Sequence, residues 1–148
     1  MATRVHGEER VAITFAGRSG RAKVNRRRVW LSVAMEVEPR RDDIDTNSWR
    51  THTLRYDYSL FGDERGSDEW LAYHFHPRTP KDLPHLHVNA DAGWATRGLR
   101  RRHLPTGRVA LEDVIQSLIE DFGVVPLKDA WRRDLDRNRR IYADRRTW

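Results

Sequence analysis

The chain has 148 residues, with 28 Lys or Arg against 22 Asp or Glu, a net charge of +6, a hydrophobic fraction of 38% and no Cys. That length suits a single domain that buries about two thirds of the surface its unfolded chain exposes, enough for a core without staples. The missing Cys excludes disulfides, thiolate-held zinc or iron–sulfur clusters and a thiol nucleophile, so metal binding or catalysis would fall to His and carboxylates. In chain order, residues 11–16 are a candidate for a short edge strand. Residues 29–38 alternate, with Val29, Leu31, Val33, Met35 and Val37 on one face and Ser32, Glu36 and Glu38 on the other, which predicts a strand that Pro39 should stop. Residues 51–61 predict a second strand, with Leu54, Tyr56, Tyr58 and Leu60 opposite Arg55, Asp57 and Ser59. Residues 62–68 carry turn chemistry and the length of a hairpin loop. A third strand, 70–76, sets Leu71, Tyr73 and Phe75 against Trp70, Ala72, His74 and His76. A shorter one, 85–90, sets Leu86 and Val88 against His85, His87 and Asn89.

After residue 107 the period changes. Leu111, Val114, Ile115, Leu118, Ile119 and Phe122 recur at helical spacing, Gly123 is a suitable residue just past a helix end, and Pro126 opposes continuation. From Lys128 onward, Trp131, Leu135 and Tyr142 fall among many Arg, which predicts a basic amphipathic helix with three possible jobs: phosphate contact, a partner's acidic groove, or docking through Trp131 and Leu135. The expected fold class is α+β: one domain, β-rich over 1–107 and helical over 108–148, with a mostly antiparallel sheet of about four or five strands covered on one face by the C-terminal helices.

Alternation then decides what the other face carries. If the apolar faces all point toward the helices, the opposite face collects Glu36, Glu38, Arg55, Asp57, His74, His76, His85 and His87. Four of the seven His lie in two His-x-His pairs within residues 74–87. Three readings of this cluster compete. The rings can be ordinary half-exposed strand residues. They can bind a divalent metal such as zinc, because imidazoles two apart on a strand point the same way. They can also supply acid and base for phosphodiester cleavage, since an imidazole titrates near pH 6.5 and one neutral and one protonated ring can coexist. The third is the leading expectation: a metal-independent, cofactor-free ribonuclease with His74, His76, His85 and His87 as the catalytic set, His76 and His85 being the pair that a tight return would bring closest. Glu36 and Asp57 are the carboxylates on that face that can orient the rings.

The basic residues give RNA as the expected partner. All but three of them are Arg, and they cluster at 26–28, at Arg100, Arg101 and Arg102, and along 132–146. Arg55, Arg78 and Arg108 are the candidates for neutralising a transition-state phosphate. Trp49 and Trp94 lie in apparent loops and His103 beside the Arg100–Arg102 run, where core or structural roles compete with stacking or phosphate contact. The chain has no Gly-rich phosphate loop, no Gly-x-Ser-x-Gly and no His-Glu-x-x-His, so nucleotide-driven and serine-hydrolase chemistry lose support. No apolar run approaches the roughly 18 residues of a membrane helix, and residues 1–10 lack an apolar core of the signal-peptide kind, so a cytoplasmic protein with no membrane role is expected. The alternative to an enzyme is a non-catalytic module that binds nucleic acid or a protein partner.

The order of features resembles one family. Tyr56-x-Tyr58, Trp70-x-x-Tyr73-His74-x-His76-Pro77, Pro84-His85-x-His87 and the acidic start Leu111-Glu112-Asp113 of an amphipathic helix are similar, over residues 54–122, to the TumE-like toxins of bacterial toxin–antitoxin modules. The resemblance implies a growth-inhibiting toxin, an attack on RNA and control by a cognate antitoxin. It assigns no catalytic residue.

Overall fold

The computed structural model describes residues 2–5, 10–15, 20–24, 29–41, 47–77, 83–89, 104–144 and 146–147. The fold is α+β. Among the described residues, nine strands form one sheet: β1 (Ala2–Val5), β2 (Arg10–Thr14), β3 (Arg21–Lys23), β4 (Trp30–Arg41), β5 (Trp49–Phe61), β6 (Glu69–Phe75), β7 (His85–Val88), β8 (Leu104–Pro105) and β9 (Arg146–Thr147). The main path runs β1-β2-β4-β5-β6-β7-β8, with β3 beside β4 and β9 beside β5. Only the β5–β9 pairing is parallel among those described. The strands beyond the expected ones are two to four residues long, too short for alternation to register. Residues 10–14 form β2, which lies inside the sheet because β1 covers its outer edge.

Long β4, β5 and β6 exist because β-branched and aromatic side chains alternate along them, and their inward residues form the core. Leu31, Val33, Tyr56, Tyr58, Leu60 and Phe75 are buried together with Val114 and Leu118 of α1 (Leu111–Glu120). Tyr56 and Tyr58 stack with ring centroids 4.7 Å apart, a pairing worth about 0.5–1.5 kcal/mol beyond area burial. The Val109 N–H donates to the Tyr56 hydroxyl at 3.0 Å, and the Asp113 carboxylate accepts from the Ala110 N–H at 3.1 Å. These bonds place the start of α1 on the sheet. The helix stops at Gly123, whose φ of 66° suits a residue without Cβ, while the Val124 N–H returns to the Leu118 carbonyl. α2 (Trp131–Asp144) docks on α1. Arg139 reaches Asp113 at 2.8 Å and Gln116 at 2.7 Å, and Arg132 reaches Glu120 at 3.2 Å. Part of this helix's basic charge therefore serves docking.

Strict alternation mis-assigns two places. Glu36 pairs with Arg55 but Val37 pairs with Thr53, so Leu54 is an extra residue on β5. This bulge turns Thr53, 3% exposed, to the core and sends Leu54 to the opposite side. A second irregularity sets Phe61 opposite Glu69 rather than Trp70, and Trp70 packs against the core instead of joining the His face. Pro39 does not stop β4. Past Val37 the strand has only β5 as a partner among the described residues, and on such an edge a missing N–H is tolerated. Trp49, expected in a loop, begins β5 and lies under the Arg41 guanidinium.

Candidate functional site

The second face of the sheet is as chemically loaded as alternation predicts. β5 and β6 pair Asp57 with His74, and β6 and β7 pair His74 with His85 and Ala72 with His87. Directly opposed residues have Cβ atoms about 4.5–5.5 Å apart and diagonal ones lie within reach of ring side chains. His74 is consequently the hub. Its ring centroid lies 5.1 Å from that of His76, 5.8 Å from His85 and 4.8 Å from His87, while His85 and His87 are 4.9 Å apart. The register makes His74, not His76, the cross-strand partner of His85. His76 lies just past the end of β6, exposed.

Each ring has a distinct setting. His74 Nε2 lies 3.4 Å from Asp57 Oδ2, and the Ser59 hydroxyl donates to Asp57 Oδ1 at 2.8 Å. The hydrogen bond to Asp57 raises the His74 pKa above the ordinary 6.5 against the opposing effect of burial, with the Asp57 and Glu69 charges adding to it. Burial pushes the Asp57 carboxyl up, but the hydrogen bonds from His74 and Ser59 and the charges of His74 and His76 outweigh it, so its pKa lies below the ordinary 3.8. His76 moves the other way: burial and the neighbouring His74 lower its pKa. Neighbouring imidazoles are thus driven apart in proton affinity, the arrangement that separates an acid from a base. His85 Nδ1 lies 3.0 Å from the Leu83 carbonyl. A carbonyl only accepts, so the His85 proton sits on Nδ1 and the lone pair of its neutral form on Nε2.

Beside the rings opens a cleft of about 590 Å³ lined by Arg10, Glu36, Leu54, Arg55, His76 and Pro77. Arg55 Nε contacts Glu36 Oε2 at 2.6 Å, yet the Arg55 side chain remains 64% exposed, and Arg10 lies 3.9 Å from the same carboxylate. Of the two orienting carboxylates expected, Asp57 holds a ring, whereas Glu36 holds arginines. Arg108 is not at this face. Its guanidinium donates to the Thr53 carbonyl at 3.3 Å and lies 4.1 Å over the ring of Phe75, a core residue. Arg78, Arg100, Arg101 and Arg102 lie outside the described residues, as do Trp94 and His103. Sequence reasoning missed Arg10, at the start of a five-residue strand, and the Leu83 carbonyl, which no side-chain pattern reports. No helix among the described residues is long and apolar enough to cross a membrane.

One ring nitrogen from each of His74, His85 and His87 lies within 4.8 Å of the others, and a carboxylate oxygen of Asp57 makes a second set of the same spacing with one ring nitrogen each from His74 and His76. Comparison of the chain with family models, curated proteins and solved structures found no match.

Proposed function

We propose that the protein cleaves RNA at the imidazole face, with His76 as general base, Asp57-held His74 as general acid and Arg55 as the phosphate contact. The observation that carries this reading is the juxtaposition of the Asp57–His74 pair with His76 at the mouth of a cleft bearing Arg10 and Arg55. His76 takes the proton of a ribose 2′-hydroxyl. The 2′-oxygen bonds to phosphorus as the bond to the 5′-oxygen breaks, and His74 delivers its proton to that leaving oxygen. The products are a 2′,3′-cyclic phosphate and a 5′-hydroxyl. Arg55 offsets charge on the phosphorane-like transition state. The basic surface gathers the polyanion. The likeness of residues 54–122 to TumE-like toxins adds a biological setting to the proposal: a cytoplasmic toxin restrained by a protein antitoxin.

The test is direct. Chelator-treated protein should convert RNA to fragments ending in a 2′,3′-cyclic phosphate and leave DNA, which lacks the 2′-hydroxyl, intact. The reading fails if purified protein leaves RNA whole while its expression still arrests growth. In that event, salt-sensitive binding without cleavage would favour the non-catalytic module.

A further inference from the structure

We propose that His74, His85 and His87 form a site for one divalent cation of the zinc class, and that this site shares His74 with the cleavage chemistry. The first half stands on coordination geometry alone; the second rests on the cleavage reading.

Zinc holds imidazole nitrogens at about 2.0–2.1 Å in a tetrahedral array, so three rings on one ion have centroids on the order of 5 Å apart. The three separations here are 5.8, 4.8 and 4.9 Å. The backbone imposes that spacing. His85 and His87 share one face of β7 because they are two apart, and the antiparallel register brings His74 of β6 opposite His85. All three rings are partly buried, whereas His76 is exposed.

The surroundings add a second, independent observation. A metal-bound His characteristically gives its other ring nitrogen to a carboxylate or carbonyl, which fixes tautomer and orientation. Asp57, itself held by Ser59, occupies one nitrogen of His74, and the Leu83 carbonyl fixes the proton of His85 on Nδ1, the tautomer whose lone pair is on Nε2. A three-imidazole set selects a borderline cation of the zinc group over magnesium or calcium, which require oxygen ligands. It also leaves a fourth position for water or a substrate oxygen. A ring nitrogen carries either a proton or a metal. A cation on His74 therefore withdraws that ring from proton transfer.

The probe is zinc itself, added to the full chain after chelator stripping, with cobalt as a spectroscopic substitute. One zinc per chain is expected, with absorption-edge spectroscopy counting three imidazoles and cobalt giving the visible bands of a tetrahedral site. His87→Ala and His85→Ala should each weaken zinc binding at least about 100-fold, beyond the 10- to 100-fold typical of losing a supporting group. His52→Ala, on β5 away from the cluster, should leave it unchanged. Circular dichroism of the metal-free variants shows whether each is folded, and the imidazole count on the unaltered chain stands independently of them. Less than one zinc per chain, or undiminished affinity in both cluster variants, overturns the site. Cleavage that proceeds at the metal-free rate when zinc is saturating overturns the sharing of His74. Zinc binding without RNA cleavage would sink the proposed function and leave the metal site standing, and cleavage without zinc binding would do the reverse.

Discussion

Tyr56 and Asp57 are adjacent in the chain and face opposite ways. Tyr56 is 1% exposed under α1, stacked on Tyr58, with its hydroxyl accepting the Val109 N–H. Asp57 keeps 37% of its side chain exposed and holds the hub ring of a four-imidazole cluster. One strand thus anchors a helix on one side and positions titratable groups on the other. The core face tolerates few substitutions because its atoms are close-packed. The ring face tolerates many without unfolding, since its residues are half in water. Stability and activity should therefore separate by face.

Among single substitutions, the largest expected effect falls on the core side. Tyr56→Ala removes a fully buried ring, half of a stacked pair and an anchor of α1, and should cost about 3–5 kcal/mol in chemical denaturation. Tyr56→Phe keeps the ring and leaves the Val109 N–H without its acceptor, for about 1–3 kcal/mol. A loss below about 1 kcal/mol for Tyr56→Ala would mean that this face is not the core. On the ring side, His76→Ala should leave the denaturation midpoint nearly unmoved and lower RNA cleavage at least about 100-fold, roughly 2.7 kcal/mol on the barrier. Equal losses of stability and activity would erase the distinction between faces.

A finer effect is electrostatic. The hydrogen bond to Asp57 raises the His74 pKa, and the pair as a whole holds Asp57 below its ordinary value. A raised imidazole contributes stability that is complete below its unfolded value near 6.5 and is lost as pH rises through its folded value. A lowered carboxylate contributes stability present above 3.8 and lost as pH falls through its folded value. The pair is therefore most stabilising between those limits. In metal-free protein, Asp57→Asn should move the His74 titration to lower pH, because burial then opposes the charged ring with only the Glu69 charge left to offset it. Imidazole NMR across pH 4–9 reads this, and an unmoved His74 would show that Asp57 does not hold it.

The two faces were legible in the sequence to different depths. Alternation in residues 29–38, 51–61, 70–76 and 85–90 placed the four rings on one side, and the helical period of Leu111 to Phe122 supplied the cover for the other. What alternation does not contain is register. That His85 lies opposite His74 depends on how β6 and β7 pair after a Pro-rich connection whose length alone does not set the pairing. Bulges are silent for a similar reason. Leu54 and Trp70 have side chains acceptable on either face, and only the ladder shows them to be extra. Arg108 was misplaced because its neighbours in space, Thr53 and Phe75, come from two different strands.

Leu54 gives the smallest effect and the sharpest test of how the faces are built. It is the residue by which β5 exceeds β4 between the Glu36–Arg55 and Val37–Thr53 pairs. Deleting it makes Thr53 and Arg55 consecutive, and consecutive strand residues face opposite ways, so Thr53 stays in the core and Arg55 stays by the cleft. The deletion should therefore keep both faces intact. It should cost about 1–2 kcal/mol, from one partly buried Leu and a straightened strand, and should weaken RNA binding slightly through the lost cleft wall. Deleting Tyr58 instead shortens β5 where the ladder is regular and sends every residue on one side of the cut to the wrong face, which should prevent folding. If the Leu54 deletion unfolds the protein as completely as the Tyr58 deletion, the bulge is not an insertion in an otherwise regular ladder, and the facing of Thr53 must have another cause.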